Sequence, residues 1–165
     1  MGSSPSDVGT TFAEVCNLQM TYGCACDFRD VDRLEQLFSA DATWERIASA
    51  ENNPRRFVGR LEIIAGFRSM YGLSAGSRPV LRASMYVFSN PLVRYEPSAA
   101  SARWNFQVIR LDAQPGSSPI KTVGEYAVRY EQRKDRWHIT SMRCTPLWTA
   151  AIGRLNEACE IPSSA

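Results

Sequence analysis

The sequence predicts an α+β fold: a curved antiparallel sheet, a cone-shaped half barrel, wrapped around N-terminal helices. Three observations carry this. Apolar residues recur at helical spacing in three segments before Gly72. The period then changes to alternation over residues 81–95, 101–112, 119–132 and 135–148, which read as four long strands. Their separators are Pro97-Ser98, the Pro/Gly/Ser run at 113–119 and Gln132-Arg133-Lys134-Asp135, turns that favour antiparallel neighbours. One amphipathic sheet needs its apolar face covered. Covering it with the first and third helices leaves a pocket at the open end, where ligands usually sit.

In chain order, residues 1–8 are rich in Ser, Gly and Pro and read as a disordered tail. A helix from Thr10 to about Phe28 carries Phe12, Val15, Leu18, Tyr22 and Ala25 on one stripe. Thr10 or Thr11 caps it, with Glu14 completing a capping box after Thr11. Asp30 or Asp32 caps a short second helix with Val31, Leu34, Leu37 and Phe38. Ser39–Ile47 reads as a turn and a first strand, and Glu51–Gly59 as a loop. The third helix, Arg60 to Tyr71, carries Leu61, Ile64, Phe67 and Met70 and stops before Gly72. Residues 9–149 form one domain. Residues 150–165 are a C-terminal extension, with a short helix expected over 150–159.

The composition, 44% hydrophobic and 22% charged over 165 residues, suits a globular domain. A net charge of +2 gives no ground for nucleic acid or membrane partners. No apolar run reaches the roughly 20 residues of a membrane span, and no signal peptide is seen, so a cytoplasmic protein is expected. The start Met1-Gly2-Ser3-Ser4-Pro5-Ser6 fits the loose myristoylation pattern, which chance or cloning also produces. Cys16, Cys24, Cys26, Cys144 and Cys159 are odd in number, which suits free thiols. Cys24 and Cys26 would point about 200° apart on a helix, and His138 is the sole histidine, so no metal site is expected. No phosphate loop or ligand cluster is visible, and no cofactor is expected.

The segments Tyr22–Trp44, Gly59–Phe67, Ser89–Val93 and Gly124–Arg143 resemble the nuclear-transport-factor-2-like superfamily, and within it the SnoaL-like branch. That branch includes scytalone dehydratase, bile-acid dehydratase, polyketide cyclases and meroterpenoid isomerases. The resemblance covers about residues 10–149 and implies an NTF2-like cone with a pocket. Catalytic relatives place a tyrosine and an aspartate at the pocket end of the first helix, and Tyr22 and Asp27 match them. In an ideal helix those two lie about 140° apart, so their convergence requires the helix to loosen near Gly23. The relatives also carry a histidine before the Asn-Pro that matches Asn90-Pro91. Here Tyr86 and Ser89 stand nearest that position, and Val128 replaces a frequent aspartate. The Tyr/Asp/His mechanism therefore does not transfer intact.

The resemblance implies a cofactor-independent lyase or isomerase of dehydratase or cyclase type, acting on a small hydrophobic polyketide or terpenoid. Asp27 would be the base, with Tyr22 and Tyr86 hydrogen-bonding the oxygen that gains charge. Trp44, Tyr71, Ser89, Asn105 and Arg143 are candidate substrate contacts, with Phe67, Met70 and Trp148 as further apolar walls. Strict alternation puts Trp137, Ile139 and Ser141 on one face and His138 on the other, facing outward. Arg110-Leu111-Asp112 resembles the Arg-x-Asp of limonene-epoxide-hydrolase-like proteins but reads as a solvated strand end. The rival reading is a noncatalytic carrier or assembly subunit of the same fold. Apolar residues on both sheet faces favour a homodimer, with a trimer as the alternative.

Overall fold

The computed structural model describes residues 5–48, 53–73, 83–111 and 118–152, with side chains from Val8 onward. Helix α1 runs Pro5–Phe28, α2 Val31–Leu37 and α3 Arg60–Met70. The strands are β1 Phe38–Arg46, β2 Arg55–Val58, β3 Ser84–Glu96, β4 Ala99–Arg110, β5 Ile120–Arg133 and β6 Arg136–Ala151. They form one six-stranded sheet in the order β2-β1-β6-β5-β4-β3.

The α+β cone is confirmed, with corrections. The sheet is mixed, because β1 pairs with β6 in parallel while the other pairings are antiparallel. Helix α1 begins at Pro5, so residues 5–8 are helical rather than tail. Proline suits a first helical turn, where its missing N–H has no partner to lose. The expected loop at Glu51–Gly59 contains β2, whose Phe57 pairs with Trp44 and stacks on it at 5.6 Å. Of the short helix expected at 150–159, Ala150 and Ala151 are instead the last residues of β6, paired with Lys121 and Ile120, and the part beyond Ile152 lies outside the described residues.

Asp30 caps α2 by accepting the Arg33 N–H at 2.9 Å. Its own N–H reaches back to the Ala25 carbonyl, closing α1. Arg29, between the two helices, is left at φ 55°, a left-handed conformation that costs a non-glycine residue about 1 kcal/mol or more. Register shifts at Ser89/Leu92, Val123/Gly124 and Arg129/Tyr130 bend the long strands around the helices.

The inner sheet face carries Trp104, Phe106, Val108, Tyr126, Val128 and Tyr130, all buried. Against it lie Val15, Tyr22, Ala25 and Cys26 of α1 and Ile63, Ile64 and Phe67 of α3. Gln19 sits on the same stripe and is fully buried, while Phe12 is exposed, which corrects the predicted face. Gln19 belongs inside because its Oε1 accepts from the Tyr130 hydroxyl at 2.8 Å, and Tyr130 in turn accepts from Trp104 Nε1 at 3.0 Å. The outer face is laced with ion pairs: Arg143–Glu45, Arg129–Glu96, Arg103–Glu125 and Arg133–Asp41. Arg133 holds the Asp41 carboxyl down at about 2.

Gly124 marks a tight point in this sheet. A Cβ there would meet the Thr145 carbonyl oxygen and the Phe106 ring. Backbone cannot yield as a side-chain tip does, so Gly124→Ala is expected to destabilise the fold by about 1–3 kcal/mol. Urea denaturation checks this, and an unchanged midpoint would refute it.

Candidate functional site

Between α1, α3 and the inner sheet face lies a cavity of about 300 Å³. Tyr22, Cys26, Trp44, Phe67, Tyr71, Tyr86, Phe106 and Tyr126 give it an aromatic interior. Arg29, Arg46, Arg55 and Arg110 also line it, together with Ser84 and Thr122.

Tyr22 is the centre of this interior. Its hydroxyl accepts from Trp44 Nε1 at 3.3 Å, and its ring meets Tyr126 edge-on at 5.8 Å between centroids. Burial raises the Tyr22 hydroxyl well above its ordinary value, with Cys26 and Tyr86 adding to the effect. Burial likewise raises Tyr71, Tyr86 and Tyr126. All four phenols therefore stay protonated near neutral pH. They are hydrogen-bond donors, not bases, and suit an oxygen on which negative charge develops.

Asp27 stands elsewhere than expected. It is not among the residues lining the cavity, but its hydrogen-bond partners are. Its Oδ1 accepts from the Ser84 hydroxyl at 3.1 Å and from the Tyr86 N–H at 3.0 Å, and its Oδ2 from the same N–H at 3.1 Å. The cause is the regularity of α1, which runs through Gly23 without a break. Gly23 is needed for another reason: a Cβ there would come within 2.7 Å of the Phe88 ring. Tyr22 and Asp27 therefore keep their separate directions, one into the cavity and one to the edge of β3. Burial raises the Asp27 carboxyl above the usual range, and its bonds from Tyr86 and Ser84 offset part of that rise.

Trp44, Tyr71, Phe67, Met70 and Tyr86 line the cavity as expected. Ser89, Asn105 and Arg143 do not. Ser89 pairs with Asn105 across β3 and β4, and Asn105 alternates with the buried Trp104 and Phe106, so both sit on the outer face. Arg143 is on the outer face with Glu45, 2.9 Å away. Trp148 is 52% exposed and lines no wall. His138 faces outward as predicted, paired with Glu131 and with Nδ1 3.0 Å from the Arg136 carbonyl oxygen. The alternation assumed for β6 fails beyond it. The shift near Arg129/Tyr130 turns Met142 inward and leaves Ser141 accepting from the Thr43 hydroxyl outside.

Arg29, Cys26, Ser84 and Tyr126 were missed. Arg29 is buried, with its guanidinium 5.6 Å over the Tyr71 ring. Its signal was Asp30: a cap at that position forces the preceding residue into the corner between two helices. Arg110, read as a solvated strand end, is exposed but lies at the cavity mouth.

A family model described as the SnoaL-like domain matches residues 10–143. The chain belongs to the SnoaL-like domain family. No curated protein matches it. Solved structures similar to this SnoaL-like chain include a candidate scytalone dehydratase from Novosphingobium aromaticivorans DSM 12444, with TM-score 0.73 at 14% identity over 90% of this chain and 92% of that one. The hexachlorocyclohexane dehydrochlorinase LinA-type3 from Novosphingobium barchaimii LL02 has TM-score 0.72 at 13% identity, over 92% and 97%. The Kfla4162 protein from Kribbella flavida has TM-score 0.71 at 18% identity, over 87% and 95%. At these identities the likeness establishes the fold.

The thiols of this SnoaL-like domain separate by environment. Cys24 is exposed, whereas Cys26 and Cys144 are buried. Burial pushes Cys26 up to about 12 and Cys144 to about 11. Among the described residues no group of three or more His, Cys, Asp or Glu gathers to hold a metal ion. Iodoacetamide followed by peptide mapping is expected to label Cys24 in the native protein, and Cys26 and Cys144 only after unfolding. Equal native labelling of Cys24 and Cys26 would contradict this arrangement.

Proposed function

We propose that the protein is a cofactor-independent lyase or isomerase that removes a proton beside a carbonyl of a small hydrophobic natural product such as a polyketide or terpenoid. The observation that carries the reading is the cluster of four protonated phenols, Tyr22 among them, in an aromatic cavity, with Ser84 linking that cavity to a carboxylate. The substrate carbonyl oxygen would sit against the Tyr22 and Tyr86 hydroxyls, which stabilise the enolate. Asp27 would take the proton through Ser84: the Ser84 oxygen receives the substrate proton as its own passes to Asp27 Oδ1. The proton held by Asp27 then returns through Ser84, either to another carbon of the enolate or to a β-hydroxyl, which leaves as water while the enolate collapses to the enone. The family assignment supports this reading, as does the name of the dehydrochlorinase with the same fold.

The test is α-proton exchange in deuterated water, followed by NMR, with 2-tetralone and a β-hydroxy ketone of similar size as probes. Enzyme-dependent exchange is expected, lost in Ser84→Ala. Binding of the probes with no exchange above buffer would replace the lyase reading with the rival one, a noncatalytic carrier. That rival draws on the absence of a histidine from the cavity lining among the described residues.

A further inference from the structure

Arginines on the outer face of the sheet answer to carboxylates. Arg103, Arg129, Arg133 and Arg143 each have a glutamate or aspartate within 3.3 Å. The arginines at the cavity mouth are arranged differently. Among the described residues, Arg46, Arg55 and Arg110 have no carboxylate partner, and the cavity lining contains no aspartate or glutamate. Arg46 and Arg55 are direct cross-strand partners on β1 and β2. Like charges placed opposite each other in a sheet destabilise it unless something neutralises them. Arg46 Nη2 reaches the Asn53 carbonyl oxygen at 3.5 Å, but its buried Nε has no acceptor. A buried donor without an acceptor costs about 1–3 kcal/mol. Burial lowers the Arg46 pKa, and the charges of Arg55 and Arg110 lower it further, which places Arg46 within the field of both.

We propose that the cavity mouth is an anion site, and that the ligand is an organic acid whose anionic group sits among Arg46, Arg55 and Arg110 while its apolar body enters the aromatic interior. The anion would accept from the Arg46 guanidinium and neutralise the Arg46–Arg55 pair. Arg29 extends the positive surface inward along Tyr71. This gives the substrate a polarity: the acidic end at the mouth and the reacting carbonyl at Tyr22. The inference rests on the cavity being the ligand site of the proposed enzyme, and it is tested by binding alone.

The experiment is calorimetric titration with 1-naphthoate, 1-naphthyl phosphate and methyl 1-naphthoate. These share one apolar body and differ in a carboxylate, a phosphate or no charge. Both anions are expected to bind at least about ten-fold tighter than the ester, since charge-assisted bonds are the strong ones. Their affinity should fall with added salt. The tighter of the two anions identifies the acid class. Arg46→Gln and Arg55→Gln should reduce the acid to the ester's affinity. Arg55 is exposed, so that variant folds, and without ligand its Tm should match or exceed the wild type because a like-charge contact is gone. Equal binding of acid and ester overturns the proposal, as does binding of none of the three probes, or an undiminished acid preference in Arg55→Gln. A protein that prefers the acids yet exchanges no α-protons keeps the anion site and loses the lyase reading.

Discussion

Asp27→Asn is expected to lower the rate of α-proton exchange by about 10²- to 10⁴-fold, the usual cost of losing a general base. Folding should survive, because an asparagine oxygen still accepts the Tyr86 N–H that Asp27 holds at 3.0 Å. Ser84→Ala should show a loss of similar size if the proton passes through its hydroxyl. Tyr22→Phe should cost less, since the remaining phenols still face the oxygen. Cys26→Ala should leave the chemical step largely intact, its thiol being protonated and buried. The pH profile adds an independent reading. Burial raises the Asp27 carboxyl, so kcat/KM should rise with pH through a midpoint above the ordinary aspartate value of about 3.9. The linked effect on stability has the opposite sign. A raised folded pKa means Asp27 contributes stability below its unfolded pKa and loses it as pH climbs through the folded one. Activity should therefore gain, and Asp27's contribution to stability should fall, over the same acidic window. Full turnover in Asp27→Asn would sink the mechanism and leave Asp27 as an anchor for the edge of β3.

Period and punctuation carried most of the fold. Alternating Trp104, Phe106 and Val108 became the buried face, and the turn at Lys134-Asp135 joined β5 to β6. What periodicity does not encode is where a long strand slips register. The shift at Thr140, between Ile139 and Ser141, reversed Ser141 and Met142, and with them the predicted placement of Arg143. The β1–β6 pairing was also illegible, since parallel partners far apart in sequence share no turn. At the site, the resemblance located Tyr22 but carried Asp27 into a cavity that the helix geometry denies it. The about 140° between them held because Gly23 makes room for Phe88 rather than breaking α1. The cavity-mouth arginines Arg46, Arg55 and Arg110 come from three separate strands, and only the folded chain brings them together.

The largest stability effect is expected at Trp104, which is 2% exposed and central to the inner face. Trp104→Ala removes the indole from a site bounded by Phe88, at 6.4 Å between ring centroids, and by Tyr130, which accepts its Nε1–H at 3.0 Å. Truncating a buried tryptophan costs about 3–5 kcal/mol. For a domain of this size that is a fall in Tm of roughly 6–20 °C. Packing and hydrogen bonding contribute separately, and two further variants divide them. Trp104→Phe keeps most of the ring but loses the donor, so it should cost about 1–2 kcal/mol. Tyr130→Phe keeps the packing and strands both Trp104 Nε1 and Gln19 Oε1, so it should cost about 1–3 kcal/mol. Gln19→Met should be the mildest, because it also removes a buried Nε2 that has no partner among the described residues. Thermal unfolding of the four variants gives the order Trp104→Ala worst and Gln19→Met least. If Trp104→Phe fell as far as Trp104→Ala, the hydrogen bond rather than the packed ring would be what holds this part of the cone together.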